Sequence, residues 1–492
     1  MTTAINKRIA IGATWMVALR QVDRFIGLIS LTILARLLLP EDFGLVVYAT
    51  SLVAIIEIFF QFGFETVLIR DKDAGRESYD TAWTLKILVG AILCALLMLA
   101  AYPAAAYFDE PRVVDILFWV ALAPLLRGFE NIGVVDFQKN LEFNREFKFK
   151  FSVRVISTAW TIILAFALRN HWALVFGMLA NSALGTLFSF FMSPYRPSLS
   201  LTQHKRIFGF SKWLLVQNIL DGFTKKSPVF VIGRFFDAQI VAFYNMSNEL
   251  SNMATGEIAA PIRRALFPGV MAIADDEQKM VDTIMSTIGV IAFIGLPVAA
   301  GIGLTAPVSV PLLLGDNWGD IVPLMQILAV FGASMALYSN SHVIYYAVDK
   351  PQITAFVTAM RLVLLLPMLV YATPRHGAIG AAWAWTIANI IVTVTEYFLF
   401  YHMVRYRPLQ LLGMIWRSIA GVAVMGLVVY RLLLALISMN DRYPLGIELA
   451  VLAAAGAVCY TIVTYSLWTI TGKQRGAESF VLDFIKQRLG RD

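Results

Sequence analysis

The chain has 492 residues, 59% of them hydrophobic and 15% charged, and a mean hydropathy of +0.70. An ordinary soluble domain is about 25% charged, so this composition argues against a soluble protein and against an enzyme with a catalytic head outside the membrane. The formal net charge of +7 is modest and gives no reason to expect nucleic acid as a partner.

The first apolar stretch, Gly12 to Pro40, is long enough for a spanning helix, which needs about 20 such residues. Lys7 and Arg8 precede it as in a signal peptide, but the run is too long, carries internal charges and lacks a small-residue cleavage site. It reads as a mature span. Within it lie Arg20, Asp23, Arg24 and Arg36. Arg20 and Arg24 are four apart and share one helix face. A charge at the bilayer centre costs roughly 2.5–3.5 kcal/mol on insertion scales, so that face is expected to look at water or at partner side chains. The second span carries Glu57, Gln61 and Glu65 at spacing four, predicted to form one polar face. Cys94 and Cys459 fall inside apolar spans and read as free thiols. The stretch from Asp136 to Phe151 mixes Phe with Lys and Arg and suits either a helix lying in the anionic leaflet or ordinary loop packing.

A shift of 198 residues brings Trp15 onto Trp213, Asp23 onto Asp221 and Arg36 onto Arg234. The seventh span, with Asp221, Lys225 and Lys226, therefore reads as a repeat of the first. Span eight carries Asn245, Asn248, Glu249 and Asn252, with Glu257 beyond. Such amide stripes suit sugar hydroxyls or water, and equally suit hydrogen bonds between helices. The tail, residues 472–492, puts Phe480, Val481, Phe484, Ile485 and Leu489 near one face and reads as a helix on the membrane surface.

Apolar runs give about fourteen spans. With the N-terminus placed in the cytoplasm, 24 Lys and Arg fall in cytoplasmic segments, 4 in the opposite loops and 12 inside spans. The positive-inside rule then puts both termini in the cytoplasm. The expected fold is an all-α integral membrane protein of about fourteen transmembrane helices: two six-helix lobes in parallel pseudo-two-fold repeat plus two C-terminal helices. The expected divisions are 1–200, 201–405, two additional helices over 406–471, and the tail.

The deep intramembrane bases are Arg20, Arg24, Arg127, Arg154, Lys225, Lys226 and Arg361. Arg36, Arg234, Lys86, Arg417 and Arg431 sit near span ends, where long side chains can reach the interface. Each deep base is read either as part of a cationic cavity or as a structural partner of Asp23, Asp221, Glu130 or Glu57. As a set, the bases outnumber the deep acids, which favours a cationic cavity. No Walker loop, dinucleotide fingerprint, His/Cys metal spacing or Ser-His-Asp constellation is present in the sequence, so neither an enzyme nor a cofactor is expected.

The segments LARLLLPEDFGLVVYATSL, FGFETVLIR and YDTAWTLKILVGAIL resemble the polysaccharide flippases of the multidrug/oligosaccharidyl-lipid/polysaccharide exporter superfamily. The turn from Pro40 to Gly44 is the most characteristic piece, and the resemblance is clear over about the first 150 residues. It implies a bacterial inner-membrane flippase moving an undecaprenyl-diphosphate-linked oligosaccharide repeat unit by alternating access, for exopolysaccharide or O-antigen synthesis. Its partners would be that lipid-linked oligosaccharide, membrane lipids, and the polysaccharide polymerase and export machinery. Expected substrate-binding residues are Arg20, Arg24, Arg127, Arg154, Lys225, Lys226, Arg361, Asn245, Asn248 and Asn252. Asp23, Asp221, Glu57 and Glu249 are expected to couple ions. The competing readings are a cation-coupled drug antiporter of the same superfamily, which would favour a net acidic cavity, and a glycan polymerase or ligase, which would favour a long outer loop.

Overall fold

The computed structural model describes residues 2–71, 73–204, 212–253, 273, 276–338, 345, 350, 352–404, 408–438, 443–472 and 478. Among them the chain is mostly helical, without strands, and forms about fourteen membrane-crossing segments. Helices suit this composition because a bilayer offers no water to satisfy backbone groups, and an α-helix satisfies its own. Large apolar side chains such as Leu99, Ile163, Phe191, Val363, Leu427 and Ile470 stand exposed on these helices, as a lipid-facing surface requires. The chain divides into two compact units, Met1–Ala242 and Phe243–Asp492.

The first unit holds α1 (Thr2–Leu37), α2 (Pro40–Ile58), the short α3 (Phe64–Arg70), α4 (Arg76–Phe108), α5 (Arg112–Val120) and α6 (Leu122–Gly128). After a 3-10 turn come α7 (Asp136–Lys139), α8 (Phe143–Leu168), α9 (Trp172–Met192) and α10 (Lys212–Phe235). Helix α1 packs on α8, α8 on α9, α4 on α6, and α10 on α2. Leu34 of α1 and Leu38 just past its end bury with Ala165 and Ala173 of α8 and α9.

The stretch from Asp136 to Phe151 is not a separate surface helix. Helix α7 stops at Lys139, Leu141 takes a left-handed conformation (φ 59°), and α8 then runs from Phe143 straight into a span. Phe137, Phe149 and Val153 bury together against Leu184 and Phe188, so Phe137 and Phe149 serve packing within the unit, while Phe151 stays exposed. Past α9, residues 193–204 run beside the start of α4. The Asp80 carboxylate accepts hydrogen bonds from the Tyr195 hydroxyl (2.7 Å) and from the Ser198 backbone N–H and hydroxyl (2.8 Å each). The Ser200 N–H donates to Thr84 Oγ1 (2.9 Å).

A helix over 238–253 leads into the second unit, which continues with α11 (Glu277–Leu314), α12 (Ile321–Tyr338), α13 (Gln352–Val404), α14 (Pro408–Ser438) and α15 (Leu445–Ile470). Helix α13 is two spans joined at Gly377 (φ 60°, ψ −148°). Met280, Ile284, Met285, Ile288, Phe400 and Ile415 form one buried core of this unit. Val308, Met425, Val429, Leu452 and Tyr460 form another, so the last two helices pack on α11, and the Tyr460 hydroxyl donates to the Phe293 carbonyl (2.7 Å).

Among the described residues, seven helices are long and apolar enough to cross a membrane by length and composition alone: α4, α8, α9, α11, α13, α14 and α15. Helices α1 and α10 are not among them. Both carry intramembrane charges, Arg20, Asp23 and Arg24 on α1 and Asp221, Lys225 and Lys226 on α10.

Candidate functional site

The turn from Pro40 to Gly44 is the scaffold. Pro40 occupies the first turn of α2, where its missing N–H costs nothing. Asp42 accepts the Leu39 N–H (3.0 Å) and the His171 N–H (2.8 Å), capping α2 and fixing the start of α9 in one step. Glu41 pairs with Arg112, which also holds Glu110 (2.7 Å). The hydrogen bond from Arg112 outweighs partial burial and holds the Glu110 carboxyl below the usual range. At Gly44 a Cβ would lie 1.7 Å from the Ala238 carbonyl oxygen, so only glycine admits the chain leaving α10. The Tyr48 hydroxyl donates to the Phe236 carbonyl (3.3 Å) just beside it.

On this scaffold the intramembrane charges fall into acid–base pairs. Asp23 of α1 meets Arg154 of α8 at 3.0 Å. Asp221 meets Lys225 at 2.6 Å along α10. Glu57 at the end of α2 pairs with Arg127 of α6. Arg20, Arg24 and Lys226 lie half-buried on α1 and α10. The paired groups are not sealed in: side-chain exposure is 57% for Asp23, 41% for Arg154 and 65% for Lys225. Charges this open within a lipid slab must border water, since facing hydrocarbon would cost several kcal/mol each.

A second charged centre surrounds the end of α2. The predicted polar face of Glu57, Gln61 and Glu65 does not exist as one helix face, because α2 ends at Ile58 and α3 begins only at Phe64. The break instead wraps the three residues around a cavity of about 370 Å³ with Lys86, Arg127, Phe60 and Phe62. Lys86 reaches Glu65 (2.8 Å) and Glu130 (4.0 Å). Burial pushes the Glu130 carboxyl up, against the pull of Lys86. The geometry depends on a close crossing of α4 and α6. A Cβ on Gly90 would meet the Pro124 carbonyl oxygen at 2.7 Å, and one on Gly128 the Lys86 carbonyl oxygen at 2.8 Å. Sequence reading set Lys86 aside as an interfacial side chain.

The remaining expected site residues lie in the second unit or its leading helix. Asn252 Nδ2 donates to the Asn248 carbonyl and to its side-chain oxygen (2.8 Å each), so these two amides are engaged with each other along the helix. Asn245 is half-buried and Glu249 exposed. Glu257 lies outside the described residues. Arg361 is 8% exposed, inside the unit. Arg417, expected to reach the interface, is also buried and grips Glu478 (2.9 Å) and Thr471 (3.1 Å). Apart from Glu478, the tail and its predicted surface helix lie outside the described residues from 473 onward.

Residues 33–323 match the family model described as polysaccharide biosynthesis protein. The chain belongs to this family. Relatives include the lipopolysaccharide biosynthesis protein WzxC of Escherichia coli (strain K12), 24% identical over 80% of this chain and 81% of that one. The teichuronic acid biosynthesis protein TuaB of Bacillus subtilis (strain 168) is 22% identical over 93% of this chain and 95% of that one. Among solved structures, the lipid II flippase MurJ in an inward closed conformation superposes with a TM-score of 0.73 at 13% identity, covering 93% of this chain and 99% of that one. The likeness shows that the chain shares the fold of that structure. Together with the family match, it makes this chain a multi-pass membrane protein of the polysaccharide biosynthesis family.

Proposed function

We propose that the protein is a bacterial inner-membrane flippase that moves an undecaprenyl-diphosphate-linked oligosaccharide repeat unit outward for exopolysaccharide or O-antigen synthesis. Family membership and the relatives named above support a polysaccharide or O-antigen repeat unit as cargo. One observation carries the finer reading. Together α1, α8 and α10 carry five intramembrane bases (Arg20, Arg24, Arg154, Lys225, Lys226) against two acids, of which Asp23 contacts Arg154 and Asp221 contacts Lys225. A diphosphate needs several positive partners in a low-dielectric slab, and a drug cation would be repelled by the same excess of bases.

The ion pairs supply a mechanism. In the empty carrier, Asp23 and Asp221 neutralise Arg154 and Lys225 and so spare the protein unpaired charge in the membrane. An arriving diphosphate competes with the carboxylates for the bases. A proton or cation taken up by a displaced carboxylate then restores balance, and its loss on the other side lets the carboxylate reclaim its base and expel the cargo. Arg24 and Lys225 bind the diphosphate, supported by Arg20 and Lys226. Asp23, Asp221, Glu57 and Glu249 couple ions, and the stripe Asn245, Asn248 and Asn252 meets the sugars. Residues 1–200 and 201–405 act as repeat-related lobes alternating between inward and outward access, with both termini cytoplasmic. The exported unit is handed to a polymerase and export machinery.

The test is graded. Arg24→Lys, Arg24→Ala and Lys225→Ala are purified, checked for monodispersity, and scored for glycan export and for binding of undecaprenyl diphosphate. Intact protein is expected in each case, with partial function for Arg24→Lys and little for the alanine variants. Export at wild-type rates by both alanine variants would overturn the assignment.

A further inference from the structure

We infer that the cavity at the α2–α3 break is a carbohydrate subsite that holds one or two pyranose rings of the cargo glycan. The inference rests on the flippase reading and adds to it a place where the sugar, not the diphosphate, is recognised.

Three features of the cavity point to a neutral polyhydroxylated ligand. The first is size, since about 370 Å³ falls in the range of small-ligand sites, roughly 300–1,000 Å³. The second is charge. Glu57 is matched by Arg127 and Glu65 by Lys86. A diphosphate entering here would meet two carboxylates, and a metal cation would meet two bases. A sugar hydroxyl both donates and accepts, and each member of these pairs keeps hydrogen-bonding capacity beyond the one contact it makes to its partner. Gln61 and Thr66 line the same space and can each do both. The third feature is aromatic surface. Phe60, Phe62 and Phe64 line the cavity in succession, Phe60 and Phe62 edge to face at 6.2 Å between centroids, Phe62 and Phe64 stacked at 5.6 Å. Flat apolar faces beside paired donors and acceptors fit the two-sided chemistry of a pyranose, one face C–H and the rim hydroxyl.

The position agrees with the role. Phe60 to Thr66 of the cavity lining lie between α2 and α4, on the side that loop charge assigns to the cytoplasm. A flippase loading a biosynthetic lipid there would meet the glycan before the diphosphate passes into the slab.

The experiment compares two probes on the full chain in lipid nanodiscs: undecaprenyl diphosphate, and the same lipid carrying the repeat unit extracted from the host. Wild type should bind the glycosylated lipid about tenfold more tightly, the equivalent of about 1.4 kcal/mol. Gln61→Trp, which fills the cavity, and Glu65→Gln should bring that ratio towards one while affinity for undecaprenyl diphosphate stays unchanged. Gln61→Ala leaves both ion pairs in place and keeps the test readable if either other variant yields little monodisperse protein; it should lower the ratio part-way. A ratio near one in wild type, or a ratio unaltered in the variants, overturns the subsite and leaves the flippase reading standing. If wild type binds neither lipid, the flippase reading fails and the subsite with it.

Discussion

At the scale of single residues, the turn after α1 shows how a short motif can carry several tasks. Pro40 starts the helix, Glu41 and Asp42 place negative charge in its first turn, where the helix dipole favours it, and Gly44 lets another backbone approach. Asp42 and Glu41 also tie this turn to His171 and Arg112, far along the chain. The neighbouring Glu110 makes the cluster sensitive to pH. Its carboxyl titrates below the ordinary value because Arg112 donates to it. Its stabilising contribution is therefore full above the unfolded value of about 4.3 and is lost as pH falls through the lower folded value. Glu110→Gln should melt below wild type at pH 7. The gap between the two melting curves should close as the pH is lowered below about 4. A gap that stays constant down to pH 3 would show that the Glu110 charge is not what matters.

At the scale of elements, breaks and clamps matter more than the helices between them. The break after Ile58 turns a predicted stripe into a cavity, and the turn at Leu141 joins a predicted surface helix to a span. Arg417 is the clamp of the second unit. It is 3% exposed and bonds Glu478, which is 6% exposed, with Thr471 as a further partner. Removing one member of a buried pair strands the other and costs about 3–5 kcal/mol, whereas replacing both with apolar groups can be neutral. Arg417→Ala should therefore melt far below wild type, and Arg417→Met combined with Glu478→Leu should recover most of the loss. Additive damage in the double variant, measured by thermal unfolding in detergent, would mean that the two do not act as a pair.

At the scale of the whole molecule, orientation follows from loop charge. We expect Asp109→Cys and Arg375→Cys, introduced into a chain lacking Cys94 and Cys459, to react with an impermeant thiol reagent in intact cells. Lys205→Cys should react only after the cells are opened. The reverse pattern would invert the molecule and, with it, the direction of the proposed transport. Both natural cysteines must go first, because they are free and Cys459 is partly accessible.

Membrane class, all-helical architecture, about fourteen crossings and the family were legible in the amino-acid order, for a local reason. A spanning helix satisfies its own backbone, so a run of about 20 apolar residues declares itself without reference to anything distant. The signature from Pro40 to Gly44 is local in the same sense. Which charge meets which was not legible. Asp23 was named as a partner for any of the deep bases, and it meets Arg154 of α8; Glu57 was placed on a stripe with Gln61 and Glu65, and it meets Arg127, 70 positions away. Lys86 and Arg417 were set aside as side chains bound for the interface, and both are held by carboxylates. Such pairings depend on how closely helices cross, which Gly90 and Gly128 decide by having no side chain. In a low-dielectric interior an unpaired charge is too costly to leave, so the tertiary packing that supplies a partner also decides which charges stand at the water's edge.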